Sequence, residues 1–224
     1  GVVPQTNWNN GPDHGSNYPM ALTYDDGTGS GASVTSKTGQ VLDGPTPDLG
    51  GDYRLMCSGL KIYASAGGTS EVSLVLAGLP TDYQARGYDA YVYFDSSTNT
   101  GWNSYHISAY DTSDSSLLAR KAVTVDNAWR VFSGVFEECT GEDVGAIGDD
   151  QYDTGNYCVL EGLSASSVRI AMVNIATEGG GTARGLLKGV QIVPHQESAA
   201  PVPEPATLGL LGVGLAMLRG RRLR

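Results

Sequence analysis

The sequence is short of cations. Lysine and arginine number 14 against 24 aspartates and glutamates, and four of the arginines fall in the last six positions. The segment from Val202 onward carries +3, so the body before it must carry −13 to give the overall −10. A body of that charge repels phosphate, which excludes nucleic acid as a partner. It suits solubility outside the cell, or divalent cations.

Cysteine is almost missing. Cys57, Cys139 and Cys158 are the full set, and an odd count rules out a closed set of intramolecular bridges. Histidine is equally sparse: His14, His106 and His195 show no HxxxH or HExxH spacing, so no histidine-built metal centre is expected. There is no GxSxG elbow and no Cys–His pair for nucleophilic catalysis. The body also lacks a sustained i, i+3, i+4 apolar pattern, which excludes a helical bundle.

Glycine and short apolar runs take the place of these features. The 31 glycines, with Ser, Thr, Asn and Asp, separate strand-like segments at short intervals. These are Ala32–Thr38, Tyr53–Tyr63 with a break at Gly59, Glu71–Ala77, Tyr88–Phe94, Tyr105–Tyr110, Leu117–Val125, Trp129–Phe136, Tyr157–Leu160, Val168–Val173 and Leu187–Val193. EVSLVLA sets Val72, Leu74 and Leu76 against Ser73, the period of two that marks a half-buried strand. YDAYVYF places Ala90, Val92 and Phe94 on one face, Tyr91 and Tyr93 on the other. The fold expected is all-β: an antiparallel two-sheet sandwich, jelly-roll-like, with an immunoglobulin-like sandwich as the alternative. It occupies residues 1–193 as one domain, and PHQESAAP at 194–201 reads as a linker.

Three sets of residues are candidates for chemistry. Cys139 and Cys158 end strand-like runs on either side of an acidic, Gly-rich insertion, and a disulfide between them would contribute about 3 kcal/mol. The alternative is two unbridged thiols. Asp25 and Asp26, and Asp149, Asp150 and Asp153, lie in two acidic loops that offer oxygen ligands for a structural Ca²⁺, although neither matches the EF-hand spacing. Trp8, Trp102 and Tyr105 are candidates for stacking on sugar rings, since a flat π face suits the C–H face of a pyranose. Trp129 alternates with Val131 and reads as core. No catalytic residue is assigned.

The chain closes with VPEPATLGLLGVGLAMLRGRRLR. Ala206–Leu218 is apolar apart from Thr207, and as a helix it spans about 20 Å against a bilayer core of about 30 Å. Arginine snorkelling extends that reach, and the arginines place this end on the cytoplasmic side, with the body outside the inner membrane. Pro203 and Pro205 keep the peptide before it extended, the form a protease binds. Pro203, Glu204 and Pro205, a short apolar helix at 206–218, and Arg219, Arg221 and Arg222 together resemble the PEP-CTERM sorting signal of Gram-negative bacteria that make extracellular polysaccharide. The resemblance implies recognition by an exosortase and removal of the helix near the Pro-Glu-Pro. An ordinary tail anchor is the alternative. GVVPQTNWNN, GDYRLM at 51–56, YDAYVYF at 88–94 and RGLLKGVQIVP at 184–194 further resemble the recurring ectodomain of such proteins from planctomycete- and verrucomicrobia-like bacteria. That ectodomain usually has one more strand upstream, so the chain is expected to be a processed or partial form preceded by an export signal.

Two functional readings follow. The first is a non-catalytic surface or matrix protein, structural or adhesive, with extracellular polysaccharide as a partner and no cofactor beyond the candidate Ca²⁺. The second is a carbohydrate-active enzyme, or a subunit of one, on the same fold. An enzyme of that kind needs two acids about 5–9.5 Å apart across a groove, whereas a binding module needs only an aromatic platform.

Overall fold

The computed structural model describes residues 1–4, 19–37, 40–43, 55–56, 58–62, 71–96, 103–125, 134–141, 153–177 and 185–196. Its strands are β1 (Met20–Thr23), β2 (Gly29–Lys37), β3 (Gln40–Asp43), β4 (Ser58–Lys61), β5 (Glu71–Ala77), β6 (Tyr88–Ser96), β7 (Asn103–Asp111), β8 (Leu117–Val125), β9 (Asp153–Thr154), β10 (Tyr157–Leu163), β11 (Ser167–Thr177) and β12 (Gly185–Pro194). One short helix, α1 (Thr81–Arg86), lies between β5 and β6, with Asp82 in its first turn and Arg86 in its last, as the helix dipole favours.

The strands form two sheets, one in the order β1-β2-β5-β11-β7-β8-β9 and one in the order β10-β6-β12-β4-β3. All pairings are antiparallel except that of β9 with β8. Among the described strands the chain changes sheet seven times, two of these changes running from β5 to β6 and from β11 to β12. Because β11 pairs with β5 and β12 with β6, the two sheet-crossing ribbons run side by side, which gives the wrapping of a jelly roll. The expected sandwich and its jelly-roll topology are both present.

The alternation read from the sequence builds the core. Tyr88, Ala90, Val92 and Phe94 of β6 are fully buried, and they face Val168, Ile170 and Met172 of β11 with Ile107 and Ala109 of β7. Register aligns them in layers: Met172 lies beside Ile107 on one side and Val72 on the other. A second apolar cluster lies on the outer face of the five-stranded sheet, where Met56, Tyr93, Tyr157 and Val159 gather Val2, Leu55, Tyr91 and Phe136. The sheet is thus covered on both sides over part of its area.

Residues 134–141 close one edge of the sandwich. The Asn156 N–H donates to the Glu137 carbonyl (3.0 Å) and the Cys139 N–H to the Tyr157 carbonyl (2.8 Å), at the β10 edge of one sheet. Two residues on, the Gly141 carbonyl accepts from the Ala122 N–H (3.3 Å) on β8 of the other sheet. An exposed strand edge invites pairing with other chains, and this crossing removes that edge. Of the strand expected at Trp129–Phe136, the described part, Gly134–Phe136, belongs to this crossing and is not a strand.

The C-terminal end of the body also departs from expectation. Pro194 is the last residue of β12, and His195 is tied down: its N–H donates to the Gly87 carbonyl (2.9 Å), and its Nδ1 lies 2.7 Å from Asp89 Oδ1. Gly87 has φ 81° and lies close against the histidine Cβ, so a side chain there would be strained. The sandwich therefore extends two residues into the stretch whose composition reads as linker. Among the described residues no helix is long and apolar enough to cross a membrane; the apolar stretch 206–218 lies outside them.

Candidate functional site on the outer face of the five-stranded sheet

The period of two that buries Ala90, Val92 and Phe94 turns Asp89, Tyr91 and Tyr93 outward. Register then brings β10 alongside: Tyr157 pairs with Tyr93, and Val159 with Tyr91. On the other side of β6, Gln191 of β12 pairs with Tyr91. Two strands thus place Tyr91, Tyr93 and Tyr157 on one face, and a third sets Gln191 beside them.

The N-terminal segment covers part of it. The Val2 N–H donates to Tyr93 Oη (2.8 Å), the Tyr93 hydroxyl donates to Gln191 Oε1 (2.7 Å), and Gln191 Nε2 donates to the Val3 carbonyl (2.7 Å). Tyr93 and Gln191 are both fully buried beneath this strap. A buried polar group left without a partner costs about 1–3 kcal/mol, so a complete chain of donors and acceptors fixes the segment in place.

Beyond the strap, Tyr157 and Val159 are also buried (8% exposed each), and the accessible part of the face is Tyr91 with Phe136 and Val135. Tyr91 and Phe136 are half-buried, and Val135 beside them is 55% exposed. The Tyr91 and Tyr157 rings lie 6.3 Å apart and within 21° of parallel. Phe136 meets Tyr157 edge-on at 6.4 Å and Tyr93 at 5.4 Å. The Tyr157 hydroxyl donates to Glu138 Oε2 (3.3 Å). Burial, and then Glu138, push the Tyr157 phenol up to about 12. The Tyr91 phenol is also pushed up, first by burial and then by Asp89, Glu138 and Glu161. Both hydroxyls therefore stay protonated at neutral pH. Of the nearby carboxylates, Asp89 is already engaged: its Oδ1 accepts from the Gly162 N–H (2.9 Å) and contacts His195. Glu138 and Glu161 are exposed. The face combines flat rings, hydroxyl groups and charged acceptors, the set that binds a polyhydroxylated ligand by stacking and hydrogen bonding.

The opposite outer face offers less. There, Ser73, Ala171 and Ser108 lie across neighbouring strands, and the Tyr110 ring is covered by the Arg169 guanidinium 4.3 Å from its centroid.

The expected site residues are distributed unevenly. Tyr105 is a correction. It is fully buried with Ile107 and Ala109 on the core face of β7, and its ring presents nothing to solvent. Burial holds its phenol far above the usual range, with Asp95 a lesser cause. The expected Cys139–Cys158 disulfide is also corrected. No bridge joins these two buried residues, and the Cys139 thiol instead faces the Ala122 carbonyl at 3.9 Å, drawn toward β8 by the edge crossing. Burial, then the neighbouring Cys139, raise the Cys158 thiol well above its usual value.

Asp26 caps its own turn, accepting from the Thr28 N–H (2.9 Å) and hydroxyl (2.6 Å), which hold its carboxyl below the usual range. Asp25 precedes it in the same β1–β2 turn. Of Asp153 only the backbone is described, in β9. Among the described residues no three His, Cys, Asp or Glu side chains are grouped to hold a metal ion. Trp8, Trp102, Cys57, Asp149, Asp150 and the sorting residues Pro203, Glu204, Pro205, Arg219, Arg221 and Arg222 lie outside the described residues.

Sequence reasoning placed Tyr91 and Tyr93 together but missed Phe136, Glu138, Tyr157, Glu161 and Gln191. The alternation in YCVLEGL carried the only signal for the β10 residues; their pairing with β6 has none in local sequence.

The fold and its outer face define an all-β sandwich with an aromatic surface, followed by a terminal segment of opposite charge. Residues 201–224 match the PEP-CTERM protein-sorting motif. The chain thus carries a PEP-CTERM sorting signal at 201–224, which supports an exported, secreted or cell-surface protein. Among solved structures, an arabinose-bound GH51 α-L-arabinofuranosidase is similar at 14% identity and a TM-score of 0.39, over 82% of this chain and 24% of that one. A family 11 carbohydrate-binding module from Clostridium thermocellum, in complex with a β-1,3-1,4-mixed-linked tetrasaccharide, is similar at 12% identity and a TM-score of 0.32, over 75% and 86%. The tailspike protein 4 of bacteriophage CBA120 is similar at 11% identity and a TM-score of 0.34, over 73% and 19%. This chain spans about a quarter of the arabinofuranosidase. These are distant likenesses of fold. No curated protein matches the chain.

Proposed function

We propose that the body is a non-catalytic, glycan-binding protein of the cell surface or exopolysaccharide matrix, and that the outer face of the five-stranded sheet is its binding face. The observation that carries this reading is the near-parallel Tyr91–Tyr157 pair, flanked by Phe136 and rimmed by Glu138 and Glu161. Delivery proceeds through an inner-membrane intermediate held by residues 206–218, from which an exosortase releases the body near Pro203–Pro205. The carboxylates and the aromatic group serve to hold a sugar; no bond-breaking step is assigned to them.

Passing the protein over a panel of immobilised polysaccharides, and scoring both retention and released sugar, tests the reading. At least one glycan should retain the protein, with no reducing ends released above a blank. Tyr91→Ala should weaken that retention about tenfold, equivalent to ~1.4 kcal/mol, while leaving the thermal midpoint within a few degrees. Released sugar would replace this reading with the enzymatic one. Unchanged retention in Tyr91→Ala would move the site elsewhere.

A further inference from the structure

The geometry points to a neutral polysaccharide as the ligand, with Glu138 and Glu161 as the residues that select it over uronate- and sulfate-bearing polymers. This inference rests on the outer sheet face being the glycan-binding surface, and it concerns which glycans that surface accepts.

The backbone places carboxylates on either side of the aromatic pair. Val159 is the cross-strand partner of Tyr91, and Glu161 follows the inward-facing Leu160 just before the bulge at Gly162, exposed on the same outer face. Asp89, two residues before Tyr91 on β6, stands there too. Glu138 comes from the edge crossing and reaches the Tyr157 hydroxyl. The Tyr91 hydroxyl responds to all three acids. The histidine at this end, His195, is turned onto Asp89. Lys188 lies on the far side of the Tyr93 strap, 3.8 Å from Asp95, with only 3% of its side chain exposed. Among the described residues no cation acts on the Tyr91 hydroxyl beside these two exposed carboxylates, and Lys121 acts with Glu138 on the buried Cys158 instead.

An ionised carboxylate only accepts hydrogen bonds, and a hydroxyl–carboxylate bond is stronger than one between neutral groups. Sugar hydroxyls meet that requirement. A uronate or sulfate brings a second negative charge to within a few ångström of the first, well inside the ~10 Å screening length at 0.1 M salt. The −13 of the body adds a weaker, longer-range repulsion of the same sign. Stacking on Tyr91 is indifferent to the charge of the sugar, so discrimination falls to the two glutamates.

The test uses the full chain in mild detergent on immobilised neutral glucan, mannan, xylan and galactan, and on alginate and carrageenan as uronate and sulfate probes. Retention by at least one neutral polymer and at least tenfold weaker retention by both acidic ones at 50 mM salt is the expected result. The double variant Glu138→Gln/Glu161→Gln should gain at least fivefold on the acidic polymers and lose affinity on the neutral one. Its melting temperature should not change, because both side chains are exposed. Acidic polymers held as tightly as neutral ones by the unaltered chain, or no gain in the double variant, would overturn the inference. Retention by none of the six would instead overturn the glycan-binding reading beneath it.

Discussion

Replacing Pro203, Glu204 and Pro205 with alanine is expected to leave the chain uncut in the membrane fraction and to remove nearly all of it from the cell surface. The argument is conformational. Proline fixes φ and has no N–H to donate, and it drives the residue before it out of the helical region. Proline on both sides biases Glu204 toward the extended form that a protease binds, just ahead of the apolar stretch. Ala-Ala-Ala would let a helix formed by the apolar stretch 206–218 run back through the cleavage region, because alanine has the highest helix propensity of any residue. Fractionation of host cells with an antibody against the body would show the result. Surface levels equal to those of the unaltered chain would mean that the sorting enzyme reads something other than the Pro-Glu-Pro.

Phe94→Ala should destabilise the sandwich by about 3–5 kcal/mol, the range found for emptying a phenylalanine site in a packed core. Phe94 is fully buried on β6, inside the five-stranded sheet, with Leu187 of β12 as its cross-strand partner. Its neighbours belong to ladders on both sides and have little freedom to collapse into the space. Since a whole domain is stable by only ~5–15 kcal/mol, this one change removes a large share of the total. For a domain of this size the melting temperature should fall by on the order of 10 °C. Val135→Ala, at a site more than half exposed, should stay within about 0.5 kcal/mol and serves as the control. Urea titration of both variants gives the comparison. A shift below about 1 kcal/mol for Phe94→Ala would show that β6 is not the centre of the core.

The parts of the fold that local sequence determines were legible. EVSLVLA reads as a strand because one run of alternating residues is enough to fix both its period and its buried face, and β5 has the expected limits, Glu71–Ala77. The opposed faces of YDAYVYF were legible for the same reason. Elements that depend on partners were not. β1 and β3 are four-residue strands at the sheet edges, too short to show a period, and they exist because β2 and β4 pair with them. Tyr105 was grouped with Trp8 and Trp102 as a stacking candidate for its ring alone, yet its spacing from Ile107 and Ala109 places it on the core face. The cysteine pair was read from two strand-like runs that end on either side of an acidic, Gly-rich insertion. The edge crossing that turns Cys139 toward β8 depends on hydrogen bonds to Tyr157 and Ala122, residues separated by more than 30 positions.

The candidate site was legible only in part for a related reason. Tyr91 and Tyr93 are neighbours on one strand, but the sequence does not say which of them stays accessible. The structure decides it through the Val2–Tyr93–Gln191–Val3 chain of hydrogen bonds, which joins residues nearly 190 positions apart. Phe136 and Glu138 enter the site from a segment that reads as the end of a strand. The sorting signal lies at the other extreme: its three parts are contiguous, so sequence suffices to find it.

The most direct test of the central claim, that the outer face of the five-stranded sheet binds glycan, is a set of backbone amide NMR shifts. The processed protein would be titrated with an oligosaccharide of whichever polymer retains it. The largest shifts should fall on Tyr91, Phe136, Glu138, Val159 and Glu161, with those of Ser73, Ser108 and Arg169 on the opposite face unmoved. Saturable shifts confined to the opposite face, or to residues far from Tyr91, would contradict it.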